Sequence, residues 1–270
     1  MLLEGYFLKT VLILGKTGKL GRALARVWRA APPAGFRPHW VGRGDLDAPL
    51  PEASAVIALW GVTSGDEAQL AQNTALAEAA VMIARATGAA RVLHLSSAAV
   101  YGAGAAGFAE ADPLRPLGAY GQAKADMEAR ISRLGGPVGN CVVRLANVAG
   151  CDSLFRALAG DAPLQIDRFD TGGGPLRSYI ALPELAQVFE ALIALPLEAL
   201  PAVLNVAQPK ALDMAEIAMA AEREIAWAVP RAGAVARVEL DLTALGQIIS
   251  LPEARAADMV AAWRDYGGWS

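Results

Sequence analysis

The sequence predicts an α/β fold, a doubly wound parallel sheet with a smaller C-terminal lobe interleaved with it. Three observations predict this. Short apolar runs rich in β-branched residues recur through residues 10–145. Segments with helical spacing separate most of them, and this βαβα alternation calls for parallel strands with helices on both faces. The first run also passes directly into a glycine turn and a helix. After Cys151 the rhythm loosens. Residues 1–150 are therefore expected to form the core and residues 151–270 the lobe.

Thr10-Val11-Leu12-Ile13-Leu14 reads as a buried strand leading into Gly15-Lys16-Thr17-Gly18-Lys19-Leu20-Gly21. Leu20, Leu24, Val27, Trp28 and Ala31 then recur at helical spacing until Pro32-Pro33 ends the helix. Glycines let a backbone approach a pyrophosphate, and a helix N-terminus adds N–H groups and a positive dipole end. In this strand–turn–helix context Gly15, Thr17, Gly18, Lys19, Leu20 and Gly21 are expected to hold a dinucleotide's phosphates, which makes the core a Rossmann-type domain.

His39-Trp40-Val41 is a short second strand, followed by Gly42-Arg43-Gly44-Asp45-Leu46-Asp47. An acid at this strand end suits the ribose of NAD, and an arginine suits the 2′-phosphate of NADP. Arg43 stands there, so NADP is favoured over NAD; Asp47 is placed for an adenine contact. Ala55-Val56-Ile57-Ala58-Leu59 follows too soon for a full crossover helix, and Trp60-Gly61 caps it beside the expected cofactor. A long helix is expected from Asp66 to Gly88. Arg91-Val92-Leu93-His94-Leu95 is the next strand, with His94 packed inside it, and it ends in Ser96-Ser97.

Ala103 to Leu117, rich in Gly, Ala and Pro, is expected to be flexible. It leads to a helix carrying Tyr120 and Lys124, which share one face because they lie four residues apart. A phenol has an ordinary pKa of about 10, and a neighbouring ammonium favours its ionised form. Cys141-Val142-Val143-Arg144-Leu145 is a further strand, followed by Asn147. The glycine turn, Arg43, Trp60, Ser97 and Asn147 all follow strands, so all should share the carboxyl edge of the sheet, where ligands bind in such folds.

In the second half, Asp170-Thr171-Gly172-Gly173-Gly174-Pro175 is a turn before Leu176-Arg177-Ser178-Tyr179-Ile180. Pro183 begins a helix through Leu195, and Ala202 to Val206 is a strand. Asp213 with Glu216 resembles a capping box. Asp241 to Tyr266 is expected to be a helical end piece.

Composition narrows the function. The chain has 270 residues, 54% of them hydrophobic and 19% charged, which describes a packed globular protein. A net charge of −3 argues against nucleic acid or an anionic membrane as partner. Two cysteines suit a reducing compartment, so a cytoplasmic location is expected. The N-terminus lacks a signal peptide's basic start and long apolar run, and no apolar stretch is long enough to span a bilayer. His39 and His94 have no metal-ligand spacing around them, so no metal is expected.

With these pieces in order, the chain resembles the extended short-chain dehydrogenases/reductases, in the NAD-dependent epimerase/dehydratase family. Gly15 to Gly21 resembles the family's G-x-T-G-x-x-G turn, and Ser96-Ser97-Ala98-Ala99-Val100-Tyr101-Gly102 its S-S-x-x-V-Y-G strand end. Tyr120-Gly121-Gln122-Ala123-Lys124 resembles Y-G-x-S-K, and Arg144 to Gly150 resembles R-x-x-N-V-x-G. Arg177-Ser178-Tyr179-Ile180 resembles R-D-Y-I, and Asn205-Val206-Ala207 matches a further landmark.

The resemblance implies Tyr120 as general acid/base, Lys124 as the group that lowers its pKa and holds the nicotinamide ribose, and Ser97 as the residue orienting the substrate oxygen. It also implies Asn73 as a brace at the cofactor, Asn147 as a substrate contact and Arg177 as an anchor for a substrate diphosphate. The implied substrate is a sugar, nucleotide-sugar or similar small hydroxyl or carbonyl compound. Homodimerisation through the helix from Asp66 and the Tyr120 helix is a family habit that the alanine-rich faces allow. Ala98-Ala99 replace the Asp-Glu of dehydratase members, which argues against dehydration. The contrasting class is a non-catalytic NAD(P)-binding module that senses redox state; such a module has no need to keep Ser97, Tyr120 and Lys124 together.

Overall fold

The structure is a computed structural model, and residues 8–104 and 107–267 are described. The reading of the N-terminus as lacking a signal peptide rests on residues 1–9, of which 1–7 lie outside the described residues.

The chain opens with strand β1 (Lys9–Leu14), helix α1 (Lys19–Ala30) and strand β2 (Phe36–Val41). Strand β3 (Ala55–Ala58), helix α2 (Glu67–Ala86), strand β4 (Arg91–Ser97), helix α3 (Ala119–Ile131) and strand β5 (Gly139–Leu145) complete the first half. Between β2 and β3 there is only a short 3-10 turn, Arg43–Asp45, as the brief interval between those strands predicted. The long helix is α2, and Asp66 caps it by accepting from Gln69 N at 2.8 Å.

The second half alternates short strands and helices. It contains β6 (Asn147–Val148), α4 (Ser153–Leu158), β7 (Leu164–Asp167), β8 (Leu176–Arg177), β9 (Tyr179–Ile180) and α5 (Leu182–Ala194). Then follow β10 (Val203–Val206), β11 (Leu212–Asp213), α6 (Met214–Ala220), β12 (Ile225–Ala228), β13 (Arg237–Val238), α7 (Thr243–Gly246) and α8 (Ala256–Tyr266).

Six strands form one sheet in the order β10-β5-β4-β3-β1-β2, every neighbouring pair parallel. The period-2 alternation of a strand decides what covers each face. Val11, Ile13, Ile57, Leu93, Leu95 and Val143 face α1 and α5, where Leu24, Val27, Trp28, Leu185 and Phe189 meet them. Leu12, Leu14, Val56, Ala58 and Val92 face α2, through Ala80, Val81 and Ala84. Val142 meets Met127 and Ile131 of α3, which lies alongside α2. Burial on both faces is why the strands read as continuous apolar runs rather than alternating ones.

The lobe has its own apolar cluster, built from Leu154, Phe155 and Leu158 of α4, Ile217 of α6 and Met259 and Val260 of α8. It is stitched to the core rather than appended: β10 is the sheet's edge strand and α5 covers one of its faces. Two expectations are corrected. Asp241 to Tyr266 is not one helical piece but the short α7 and the longer α8, with irregular chain through Pro252 between them. Within Ala103 to Leu117, expected to be flexible, Phe108 and Leu114 are anchored. Phe108 stacks on Tyr101 at 4.8 Å and bridges to Leu240, because its ring and Leu114 have an apolar cluster to join. Among the described residues no helix is long and apolar enough to cross a membrane.

Candidate active site

The carboxyl ends of the strands open onto a cleft of about 1170 Å³. That exceeds the roughly 300–1,000 Å³ of a pocket for one small ligand. One end is formed by Gly15 to Leu20 and by Gly42 to Asp45; the other by Ser96, Ser97, Tyr120, Lys124 and Ala146 to Val148. Cys151, Asp152, Ser153 and Arg156 form a further wall.

The glycine turn is bare because side chains do not fit. Gly15 has φ +108°, and a Cβ there would come 2.8 Å from Trp60 N. A Cβ on Gly21 would come 2.2 Å from Gly15 O, so the turn folds back tightly onto α1. Gly18 is the N-cap, its N–H donating to Gly15 O at 3.0 Å. The backbone of residues 15–20 thus faces the cleft at the positive end of a 12-residue helix. This cradle fits a pyrophosphate, the expectation for Gly15, Thr17, Gly18, Lys19, Leu20 and Gly21.

At the β2 end, Arg43 lines the cleft, but Asp47 does not: it lies exposed beyond the 3-10 turn. The acid that does line the cleft is Asp45, overlooked in the sequence because it sits inside the turn rather than at the strand end. Its carboxylate accepts from Gly42 N and from Lys16 Nζ, both at 2.8 Å, and these donors hold its pKa below the ordinary carboxylate value.

Trp60 and Gly61 line the cleft after β3. Asn73 stands behind them rather than in it. Its amide donates to Val62 O at 2.9 Å and Leu70 O at 2.8 Å, and its Oδ1 accepts from Val62 N at 3.1 Å. It therefore braces the β3–α2 loop and is corrected from cofactor contact to support. Gly61 leaves room below for Lys124, whose Nζ would lie 3.4 Å from a Cβ there.

Ser97 ends β4 and Tyr120 and Lys124 sit on the first turns of α3, so strand and helix bring all three to one end of the cleft. The Ser97 hydroxyl accepts from Ala99 N at 3.2 Å and lies near enough to the Tyr120 phenol to act on its pKa. Burial pushes the phenol's pKa up, and Ser97 partly opposes that. Lys124 is 3% exposed, and its Nζ donates to Leu95 O at 2.7 Å. Burial lowers its pKa from 10.5 to about 8, against a raising effect of Glu128. The expected depression of the Tyr120 phenol by Lys124 is not what this arrangement produces, because the ammonium is turned to the β4 carbonyl and burial of the phenol dominates.

Beneath the triad runs a buried polar network whose joint role sequence reasoning missed. Glu128, four residues after Lys124, accepts from Ser96 Oγ and from Arg144 Nη2, the latter at 2.8 Å. Arg144 also donates to Tyr101 OH at 2.8 Å and Glu110 O at 2.9 Å, and Tyr101 donates to Asn205 Oδ1 at 2.7 Å. Asn205 in turn holds Phe108 O at 2.8 Å. The i,i+4 step from Lys124 to Glu128 was the available signal.

Asn147 lines the cleft, with its Nδ2 donating to Asp152 Oδ2 at 2.8 Å. Arg177 does not line it. Its guanidinium donates to Leu176 O at 2.8 Å, Val235 O at 2.6 Å and Ala236 O at 3.3 Å. The expected diphosphate anchor is thus a strut between β8 and the segment leading to β13. Among the described residues no group of His, Cys, Asp or Glu is arranged to hold a metal.

Residues 50–184 match the model of the NAD dependent epimerase/dehydratase family. The chain belongs to that family. No curated protein matches this family member by sequence. Solved structures resemble it across nearly its whole length. MoeE5 in complex with UDP-glucuronic acid and NAD is 18% identical, with 95% of this chain and 98% of that one covered and a TM-score of 0.77. The UDP-N-acetylglucosamine 4-epimerase from Methanobrevibacter ruminantium M1, in complex with UDP-N-acetylmuramic acid, is 17% identical, with 97% of each chain covered and a TM-score of 0.76. The UDP-glucose 4-epimerase of Thermus thermophilus, in complex with NAD, is 17% identical, with 97% and 100% covered and a TM-score of 0.75. At such identities the likeness establishes the epimerase fold. The family model begins at residue 50, so the glycine turn is assigned by its geometry.

Proposed function

We propose that this chain is an NAD(P)-dependent enzyme that moves a hydride and a proton at a hydroxyl or carbonyl carbon of a nucleotide sugar, as an epimerase or an oxidoreductase. One observation carries the reading: Ser97, Tyr120 and Lys124 meet at the far end of a cleft whose near end is a glycine cradle. Family membership and relatives solved with NAD and UDP-sugars support it.

Ser97 donates to the reacting substrate oxygen and orients it. Tyr120 exchanges the proton of that oxygen. Its raised pKa keeps the phenol protonated before substrate arrives, ready to donate to a carbonyl. Lys124, with donors beyond the one given to Leu95 O, offers N–H to a ribose hydroxyl and positive charge to the phenolate as it forms. The nicotinamide, when bound, supplies the hydride acceptor or donor. Ala98 and Ala99 carry no acid or base, so water elimination is not part of the reading. Arg43, where an adenosine ribose would lie, supports acceptance of NADP as well as NAD.

Tyr120→Phe tests the mechanism. Turnover of a UDP-sugar should fall by about 100-fold or more, with dinucleotide affinity nearly unchanged. Undiminished turnover would leave Tyr120 without its role; no turnover in wild type, with dinucleotide still bound, would favour the redox-sensing module. For the cofactor, Arg43→Ala should weaken NADP more than NAD; equal losses would remove the NADP part.

A further inference from the structure

Two carboxylates line the cleft among the described residues. Asp45, at the β2 end, is already engaged by Lys16 and Gly42. Asp152 is the other, on the wall beside Asn147, and the mechanism above makes no use of it.

Its position is built rather than incidental. Asp152 caps α4, with Oδ1 accepting from Phe155 N at 3.0 Å. Oδ2 accepts from Asn147 Nδ2 at 2.8 Å. Asn147 lies two residues beyond Leu145, the β5 partner of Ser97, and its own strand pairs with Tyr179. The Tyr179 hydroxyl is fully buried against Asp152 and Asn147, with no well-formed hydrogen bond to either. An ionised carboxylate has about four acceptor sites. Phe155 N and Asn147 Nδ2 fill two of them, the Tyr179 hydroxyl and Leu154 N lie close by, and Asp152 lines the cleft. Burial raises its pKa, so its charge gains from any further donor supplied in the cleft.

We propose that Asp152 accepts hydrogen bonds from the sugar hydroxyls of the substrate and sets the charge class admitted: neutral, hydroxyl-rich sugars enter and sugars carrying a carboxylate are refused. The proposal rests on the nucleotide-sugar reading above. Hydroxyls bring the donors that a carboxylate lacks; a second carboxylate brings like charge beside the first. Lys19 and Arg156 also line the cleft; burial and then the Arg156 charge lower the Lys19 pKa.

The test is binding of UDP-glucose and of UDP-glucuronic acid to the protein saturated with NAD, in wild type and Asp152→Asn. Asparagine caps a helix as well as aspartate, so α4 survives while the charge goes. Wild type should favour UDP-glucose by about 10-fold or more. The variant should bring that ratio close to one and leave NAD affinity unchanged. A wild-type ratio near one, a preference for UDP-glucuronic acid, or an unchanged ratio in the variant overturns the proposal and leaves the nucleotide-sugar reading standing. Weakened NAD binding in the variant, with the ratio unchanged, assigns Asp152 to the cofactor and overturns it too. Failure of wild type to bind either sugar nucleotide while NAD binds sinks the nucleotide-sugar reading, and the proposal with it.

Discussion

Arg144 Nη2 lies 2.8 Å from Glu128 Oε2, and both side chains are 6% exposed. The pair sits under the Ser96-Ser97 strand end and one helical turn beyond Lys124. Breaking a buried ion pair from one side leaves a charge without a partner. Glu128→Ala should therefore destabilise the protein by about 3–5 kcal/mol, read as a fall in the urea midpoint. Glu128→Gln, which still accepts a hydrogen bond, should lose less. If both variants unfolded at the wild-type midpoint, the network would have no structural role.

Lys124 makes a prediction about pH. Its pKa falls from 10.5 in the open chain to about 8 when buried. Between those values the unfolded chain binds more protons, so stability rises with pH across that window. Burial of the ammonium thus opposes folding below about pH 8, and the opposition is relieved toward 10.5. Lys124→Met should be more stable than wild type near neutrality, the gap closing as pH approaches about 10, while catalysis is lost. Comparing the two proteins cancels the other groups that titrate in this range. A gap that stays constant from about pH 7 to about 10 would mean that Lys124 is not held as described.

The glycine turn predicts a contrast between three alanine substitutions. Gly21→Ala places a Cβ on Gly15 O, and Gly15→Ala adds a left-handed φ to a backbone clash with Trp60. Both should lower stability by about 2 kcal/mol or more and weaken NAD by about 10-fold or more. Gly35→Ala, where no atom lies within 4 Å, should change neither. Calorimetric titration with NAD checks all three; wild-type affinity in Gly21→Ala would exclude the turn as the phosphate cradle.

Much of this was legible in the sequence because short-range rules decided it. The strands, the glycine turn and the Tyr120-Lys124 face follow from periodicity and local sterics. The errors fell where a long-range partner decided the outcome. Arg177 reads as an anion anchor until the carbonyls of Val235 and Ala236, nearly 60 residues on, claim its guanidinium. Asp47 and Asp45 are two residues apart, and only the fold shows that Lys16 and Gly42 engage the latter. Ala103 to Leu117 reads as loose by composition, yet Phe108 finds a ring to stack on and Asn205 to hold its carbonyl. Asp152, on the cleft wall beside Asn147, had no signature beyond that of an ordinary helix cap.

The edge position of β10 has a consequence for how the molecule is made. Strand β5, which carries Arg144 and leads to Asn147, has no neighbour on its outer side until residues 203–206 arrive. Asn205 on that late strand then anchors Tyr101 and the Phe108 segment. A chain growing from its N-terminus would therefore carry Ser97, Tyr120 and Lys124 for about 80 residues of synthesis beside an unpaired sheet edge. The surroundings of the proposed reaction centre are completed by a part of the chain that contributes none of those three residues.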